Sequence, residues 1–225
     1  MPIRTGLDER MKQIRLDLKE YFSEAKDVYA EAIEAFTKLD SEVYDDVKSV
    51  RKQARVTNWD LSNNLLLILA INQPLMEDLR IVATYLRTVD TVERIVRHAR
   101  DIARSDRSLD TLGKDIPALP NELVDPVLSM WKDLANMIDI LSLCLTEIED
   151  IPQVKIVDCW ASIQISHGQA IEALTTIKSS LYGGKAARLE IINVVNRVER
   201  SAYNLVRLAD LWHFSLYNER IILDD

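Results

Sequence analysis

An internal repeat limits the folds that this chain can adopt. Residues 89–103, VDTVERIVRHARDIA, align without gaps to residues 195–209, VNRVERSAYNLVRLA. In both copies the apolar residues recur mostly at three- and four-residue steps, which places them on one face of an amphipathic helix. The match predicts a duplicated unit, in which each copy forms the third helix of a three-helix bundle.

The rest of the chain has the same helical periodicity. It predicts six long helices at about residues 7–39, 42–71, 75–104, 122–149, 152–181 and 185–217. Proline disfavours helical geometry at the residue before it, and glycine readily adopts the left-handed geometry that ends a helix. An Asp-Ser pair can cap the N-terminus of the helix that follows. These signals predict helix breaks at Asp40-Ser41, Gln73-Pro74, Ile151-Pro152 and Gly183-Gly184.

The predicted fold is all-α. Two tandem antiparallel three-helix bundles, residues 1–104 and 121–225, are related by a pseudo-twofold axis. Residues 105–120, SDRSLDTLGKDIPALP, are rich in turn-forming residues and are the predicted linker between them. Residues 61–71 are apolar almost all round, which predicts that the end of the second helix is buried centrally among several helices.

Composition excludes several classes of function. The net charge is −8 and no basic block occurs, so binding to nucleic acid by phosphate neutralisation is not expected. The longest aliphatic run, residues 65–71, is far shorter than the roughly 20 residues of a membrane-spanning helix. We therefore predict a cytoplasmic protein that does not insert into the membrane and reaches it only through a partner. The two cysteines, Cys144 and Cys159, are predicted to be buried free thiols.

No catalytic constellation is visible in the sequence. There is no glycine-rich phosphate loop, and no Cys/His spacing typical of zinc sites. A ferritin-like di-iron bundle needs Glu-x-x-His on two helices, and the nearest pattern here is a single Asp210-x-x-His213. The chain is therefore predicted not to be an enzyme.

The best candidates for a functional site are charged residues on the third helix of each half. Glu93-Arg94 and Glu199-Arg200 follow equivalent valines in the repeat, and Asp78 and Arg80 lie just after the Gln73-Pro74 break. Two interpretations remain open for the glutamates. They could form ion pairs within or between helices, or they could line a metal or partner site.

At these residues the sequence resembles the PhoU family of phosphate-uptake regulators. The resemblance consists of the Gln73-Pro74 break, then residues 78–80 (DLR), then residues 92–95 (VERI), with a weaker copy at residues 198–200. Helix number, helix lengths and the linker position agree with it over nearly the whole chain. It implies a non-catalytic regulator that restrains phosphate uptake and often dimerises, and it implies multinuclear iron or zinc clusters held by repeated acidic motifs.

The sequence departs from those metal motifs. Four residues after Glu93 the expected aspartate is Arg97, and four after Glu199 it is Tyr203. The acidic pair expected in the second helix falls on Asn58 and Ser62, and Asp158 in the fifth helix has Val154 as its counterpart. We therefore expect no metal or other cofactor, with Glu93, Asp158 and Glu199 as the weak remaining candidates for iron or zinc.

The resemblance also implies the partners. It points to the ATPase subunit of a phosphate ABC transporter, to a sensor histidine kinase in bacteria, and to a second copy of the chain. We expect contact through Asp78, Arg80, Glu93, Arg94, Glu199 and Arg200, with the acidic surface pairing with basic cytoplasmic loops. The alternative is a divergent helical adaptor that serves another transporter and is not linked to phosphate.

Overall fold

The computed structural model describes residues 4–112, 118–176 and 184–224. Within these ranges the chain forms six α-helices and no strand, which confirms the all-α prediction. The helices are α1 (Arg4–Lys38), α2 (Tyr44–Asn72), α3 (Glu77–Leu112), α4 (Asn121–Glu147), α5 (Gln153–Thr176) and α6 (Lys185–Tyr217). A single 3-10 turn, Ser41–Val43, lies between α1 and α2.

Most predicted breaks lie at the observed helix ends. The Asp40 side chain accepts a hydrogen bond from the Glu42 N–H at 3.2 Å and caps the 3-10 turn. Gln73 has a left-handed φ of 47° and ends α2 directly before Pro74. Gly184 has a φ of 82° and precedes α6, whereas Gly183 and the predicted end of the fifth helix lie outside the described residues.

The third helix is longer than predicted. It continues through Leu112, so the first half of the predicted linker, residues 105–120, is helix. The reason is burial: Ser105, Asp106 and Leu109 face inward, and the Ser105 hydroxyl donates to Glu190 Oε2 of α6 at 2.7 Å. The helix also packs on the 3-10 turn, where the Ser41 hydroxyl donates to Asp110 at 3.0 Å. Ser105 and Asp106 are typical of turns, but tertiary packing holds them in helix.

Equivalent helices of the two halves meet at the centre. We call α1–α3 the first repeat and α4–α6 the second repeat. The most extensive packing is between α3 and α6, and α1 packs on α4. The outer helix α2 packs on α1 and α3, and α5 packs on α4 and α6. Each first or third helix thus packs on the equivalent helix of the other repeat. The predicted pseudo-twofold axis requires these pairings.

One apolar core spans both repeats. Tyr29 of α1 stacks on Trp131 of α4 with ring centroids 5.2 Å apart. Tyr85 of α3 stacks on Trp212 of α6 at 5.9 Å, and the Trp212 indole N–H donates to the Glu149 carbonyl at 2.8 Å. The aromatic pairs that fill the core therefore join one repeat to the other.

The central burial predicted for residues 61–71 is wrong for one side of that segment. Leu61, Leu65 and Ile68 are buried, but the outward residues Leu66, Leu67 and Ile71 are at least half exposed. Because α2 lies at the edge of the bundle, with α1 and α3 on one side, its opposite side has no helix to pack on among the described residues.

The remaining compositional predictions concern the thiols and the membrane. Cys144 and Cys159 are free and buried, as predicted. Burial raises the pKa of the Cys144 thiol to about 11. None of the described helices has the length and hydropathy needed to cross a bilayer.

Candidate functional site

A buried serine connects the two repeats where α3 and α6 cross. The Ser201 hydroxyl lies 3.1 Å from the Tyr29 hydroxyl of α1 and 2.9 Å from His98 Nδ1 of α3. It also donates to the Arg197 carbonyl one turn earlier, at 2.8 Å. Since a hydroxyl has a single hydrogen, both Tyr29 and His98 must donate to Ser201, which assigns His98 the Nδ1–H tautomer.

Four arginines surround this centre. Burial, together with the guanidinium groups of Arg197, Arg97, Arg200 and Arg94, lowers the pKa of His98 to about 3. We call these four residues the arginine face. The face is cationic although the whole chain has a net charge of −8, so its charge is opposite to that expected for the contact surface.

A carboxylate near the arginine face, that of Asp101, already forms ion pairs within the chain. Asp101 of α3 forms ion pairs with Arg100 at 2.9 Å and with Arg197 of α6 at 3.3 Å, which links the third helices. Because that carboxylate carries a single charge and is shared with Arg100, it offsets at most one of the four charges of the face. Arg94 and Arg200 remain exposed to solvent.

The two repeat glutamates lie on opposite outer sides and have different partners. Glu93 forms an ion pair with Arg51 of α2, and both side chains are largely buried. Glu199 accepts a hydrogen bond from the amide of Gln164 on α5 at 3.3 Å. The interhelical interpretation therefore describes Glu93, and the partner is Arg51 of the neighbouring helix rather than the adjoining Arg94.

The residues after the Gln73-Pro74 break have separate roles. Asp78 is exposed at the start of α3, beside an open groove of about 500 Å³ formed by residues 72–78 and Leu7. Arg80 turns inward, and its Nε–H donates to the Ser215 carbonyl of α6 at 2.9 Å. Arg80 therefore links the two repeats and is partly buried, whereas Asp78 is exposed.

The residues present do not fit a multinuclear metal centre. Among the described residues, no group of three or more His, Cys, Asp or Glu side chains lies close enough to hold a metal ion. Arg51 binds the Glu93 carboxylate, Asp158 is exposed on α5, and the Asn58 amide donates to Asp90 at 3.3 Å. The absence of a bound metal stays a prediction, which metal analysis of protein purified without chelator can test.

Sequence reasoning missed the centre of the site. His98 belongs to none of the sequence motifs considered above, and Ser201 occupies the position of Ile95 in the aligned repeat. A serine at an apolar position of a helix stripe is the signal that could have identified it. Its partners could not have been found, because Tyr29 is far away in the sequence.

Comparison with known proteins agrees with this architecture. Residues 18–105 match the model of the PhoU domain family. The fold is similar to the crystal structure of PhoU from Pseudomonas aeruginosa, with a TM-score of 0.83, 17% identity, and coverage of 94% of this chain and 99% of that one. It is also similar to the phosphate transport system regulatory protein PhoU from Streptococcus pneumoniae, with a TM-score of 0.81, 13% identity, and coverage of 96% and 99%.

A comparison with curated protein sequences finds no match. The family model covers α1 from Leu18, all of α2 and most of α3, and the structural likeness extends over α4–α6 as well. The first repeat thus matches the PhoU domain model, and the fold of both repeats is similar to that of the solved PhoU structures.

Proposed function

We propose that this chain regulates phosphate uptake by contact with other proteins and catalyses no reaction. The observation that carries the proposal is the PhoU fold over nearly the full length, together with the PhoU domain match at residues 18–105. One of the structures with this fold is a phosphate transport system regulatory protein. In this chain the partner is the ATPase subunit of a phosphate ABC transporter, on the cytoplasmic side of the membrane, with a sensor histidine kinase as a second partner.

The arginine face is the contact surface in this proposal. Arg94 and Arg200 are exposed, belong to the two third helices, and lie near the same buried histidine. Glu93 is paired with Arg51, whereas Glu199 binds the neutral amide of Gln164 and keeps its charge. The four arginines still outnumber the carboxylates of Asp101 and Glu199, so the net charge that the face offers to a partner is positive. An acidic surface on the partner would complement it, and charge complementarity chiefly raises the rate of association and the specificity.

Affinity capture from phosphate-replete cells tests the partner and the surface together. The native chain is expected to retain the phosphate transporter's ATPase subunit, and the Arg94→Glu/Arg200→Glu variant is expected to lose at least about tenfold in affinity. The control Arg10→Glu/Lys12→Glu changes the net charge equally at exposed positions of α1 and should bind normally.

Phosphate uptake supplies the functional readout. Cells that lack the chain are expected to take up more labelled phosphate in phosphate-replete medium. Expression of the native chain should lower the uptake again. Capture of an unrelated transporter, with unchanged phosphate uptake, would contradict the proposal and support the adaptor alternative. Full binding by the double arginine variant would show that the contact lies elsewhere.

A further inference from the structure

The arginine face concentrates unpaired positive charge on an acidic chain. Three of its four members, Arg94, Arg97 and Arg200, form no ion pair or hydrogen bond with another of the described residues. The fourth, Arg197, shares the Asp101 carboxylate with a further arginine. The whole chain has a net charge of −8, so carboxylates are abundant, yet few of them lie where these guanidinium groups could use them. This arrangement indicates an anion that comes from outside the chain.

Buried contacts between α3 and α6 fix the position of the arginine face. His98 Nδ1 lies 2.9 Å from the Ser201 hydroxyl, and one turn further along α3 the Asp101 carboxylate lies 3.3 Å from Arg197. Since the α6 partner moves back along its helix as the α3 residue moves forward, the two helices are antiparallel. All four guanidinium groups of the face lower the pKa of His98, which places them around one point of this crossing.

The four arginines form two pairs, one on each helix. Arg94 and Arg97 are three residues apart on α3, and Arg197 and Arg200 are three residues apart on α6. Residues at this spacing are neighbours on a helix surface, so both members of a pair can reach one anionic group. The axes of packed helices are roughly 8–10 Å apart, so the two pairs are suited to two anionic groups a short distance from each other.

The residue type indicates which anionic group fits. The α3 helix contains several arginines and no lysine. The planar guanidinium fork donates two parallel hydrogen bonds to a carboxylate or a phosphate. One such fork occupies both oxygens of a carboxylate, whereas a phosphate group has up to two charges and three acceptor oxygens. A phosphate group can therefore bind both arginines of a pair.

We propose that the arginine face binds a small oligophosphate, a ligand with two neighbouring phosphate groups. One phosphate group lies between Arg94 and Arg97, and the other lies between Arg197 and Arg200. The ligand covers the surface that contacts the transporter in the function proposed above, so ligand binding and that contact exclude each other. This consequence rests on the proposed function, whereas the ligand site itself does not.

Calorimetric titration of the purified full chain, without divalent cations, tests the ligand. Pyrophosphate and tripolyphosphate are expected to bind. Inorganic phosphate, which can engage a single pair, should bind at least about tenfold more weakly, and so should citrate, whose charge is carried by carboxylates. No measurable binding of pyrophosphate and tripolyphosphate would overturn the proposal. Equally tight binding of inorganic phosphate or of citrate would overturn it as well.

Variants of the exposed arginines test the site. Arg94→Gln/Arg200→Gln removes one charge from each pair and should weaken tripolyphosphate binding at least about 30-fold. Arg94→Lys/Arg200→Lys keeps the charge without the fork and should bind with intermediate affinity. The matched control, Arg10→Gln, removes the same charge at an exposed position of α1 and should bind like the native chain. Thermal unfolding should show that each variant is folded, and unchanged binding by the double glutamine variant would overturn the proposal.

Affinity capture separates the ligand from the proposed function. Capture of the transporter's ATPase subunit should fall as tripolyphosphate is added, and sodium chloride at equal ionic strength should lower it less. Normal capture by a chain that binds no oligophosphate would overturn the ligand and leave the proposed function standing. Oligophosphate binding by a chain that captures no transporter would do the reverse.

Discussion

Glu93 and Glu199 occupy the same position in their repeats, but the two repeats hold them in different ways. In the first repeat Glu93 is paired with a cation, and the Arg51 and Glu93 side chains are only 15% and 17% exposed. In the second repeat Glu199 binds the neutral amide of Gln164. A largely buried ion pair depends on both partners, whereas a neutral hydrogen bond near solvent can be replaced by water. The same glutamate position therefore contributes more to stability in the first repeat than in the second.

A second difference lies further along the third helices. Asp106 of α3 is almost completely buried, and its two carboxylate oxygens have no hydrogen-bond partner among the described residues. Continuing the gapless alignment along α6 places Trp212 at the same position, where it stacks on Tyr85 and binds a carbonyl. The second repeat fills this position with an aromatic ring, and the first fills it with a carboxyl group that its surroundings do not satisfy.

The largest expected effect is a difference in stability between variants of the two glutamates. Glu93→Gln leaves the Arg51 guanidinium largely buried without a countercharge and near Arg55, Arg97 and Arg100. We expect it to lower the free energy of unfolding by about 3 kcal/mol. Glu199→Gln should lower it by less than about 1 kcal/mol. Urea unfolding of both variants measures the difference.

Replacing both members of the first ion pair provides the control. Arg51→Met/Glu93→Leu removes the two charges together and should regain most of the stability lost by Glu93→Gln, because no unpaired charge remains. Equal losses for the Glu93 and Glu199 variants would show that the two repeats hold their glutamates equally strongly.

The next effect concerns the buried carboxyl. Burial, together with the nearby carboxylates of Asp40 and Asp110, raises the pKa of Asp106 to about 7. In the unfolded chain this group ionises near its ordinary value, so its contribution makes folding less favourable as pH rises from about 4 to about 7. We expect Asp106→Asn to raise the free energy of unfolding by about 2 kcal/mol near pH 8 and to change it little near pH 4. A variant that is no more stable than the native chain at the higher pH would contradict this.

The smallest effect tests the histidine at the centre of the site. His98 stays neutral in the folded chain because its pKa is lowered to about 3, while the unfolded chain takes up a proton below about pH 6.5. Its contribution to stability is therefore present at neutral pH and is lost as pH falls. This loss is at most about 1.4 kcal/mol per pH unit. His98→Asn should remove it, and asparagine is the residue at the equivalent position of the second repeat, Asn204.

Unfolding measured at several values between about pH 7.5 and about pH 5.5 checks this prediction. The stability difference between the native chain and His98→Asn should shrink steadily towards the lower pH. Ser201→Ala keeps the histidine and should retain the native pH dependence. Parallel curves for the native chain and His98→Asn would show that the histidine is not held neutral.

Much of the fold could be predicted because helix periodicity is a local signal. Gln73-Pro74 and the bounds of α6 were predicted correctly from neighbouring residues alone. The end of α3 was not, since Ser105 and Asp106 are typical turn residues that burial in the tertiary structure holds in helix. Of the predicted site, the repeated Glu-Arg positions were found, but their partners Arg51 and Gln164 lie on other helices and leave no trace in the local pattern.

The sequence by itself determined the six helices of the described chain and their duplication. The reason is that the apolar period of 3.6 residues and the residues that break a helix are both local features of the sequence. Only the tertiary structure decided which polar groups meet at the centre and which apolar side remains uncovered. Ser201 joins Tyr29 and His98 only because α3 and α6 cross there. The side of α2 that carries Trp59 is apolar like a core face, yet it lies outside because α1 and α3 pack on the opposite side. Periodicity shows that a face is apolar, but packing determines what covers it.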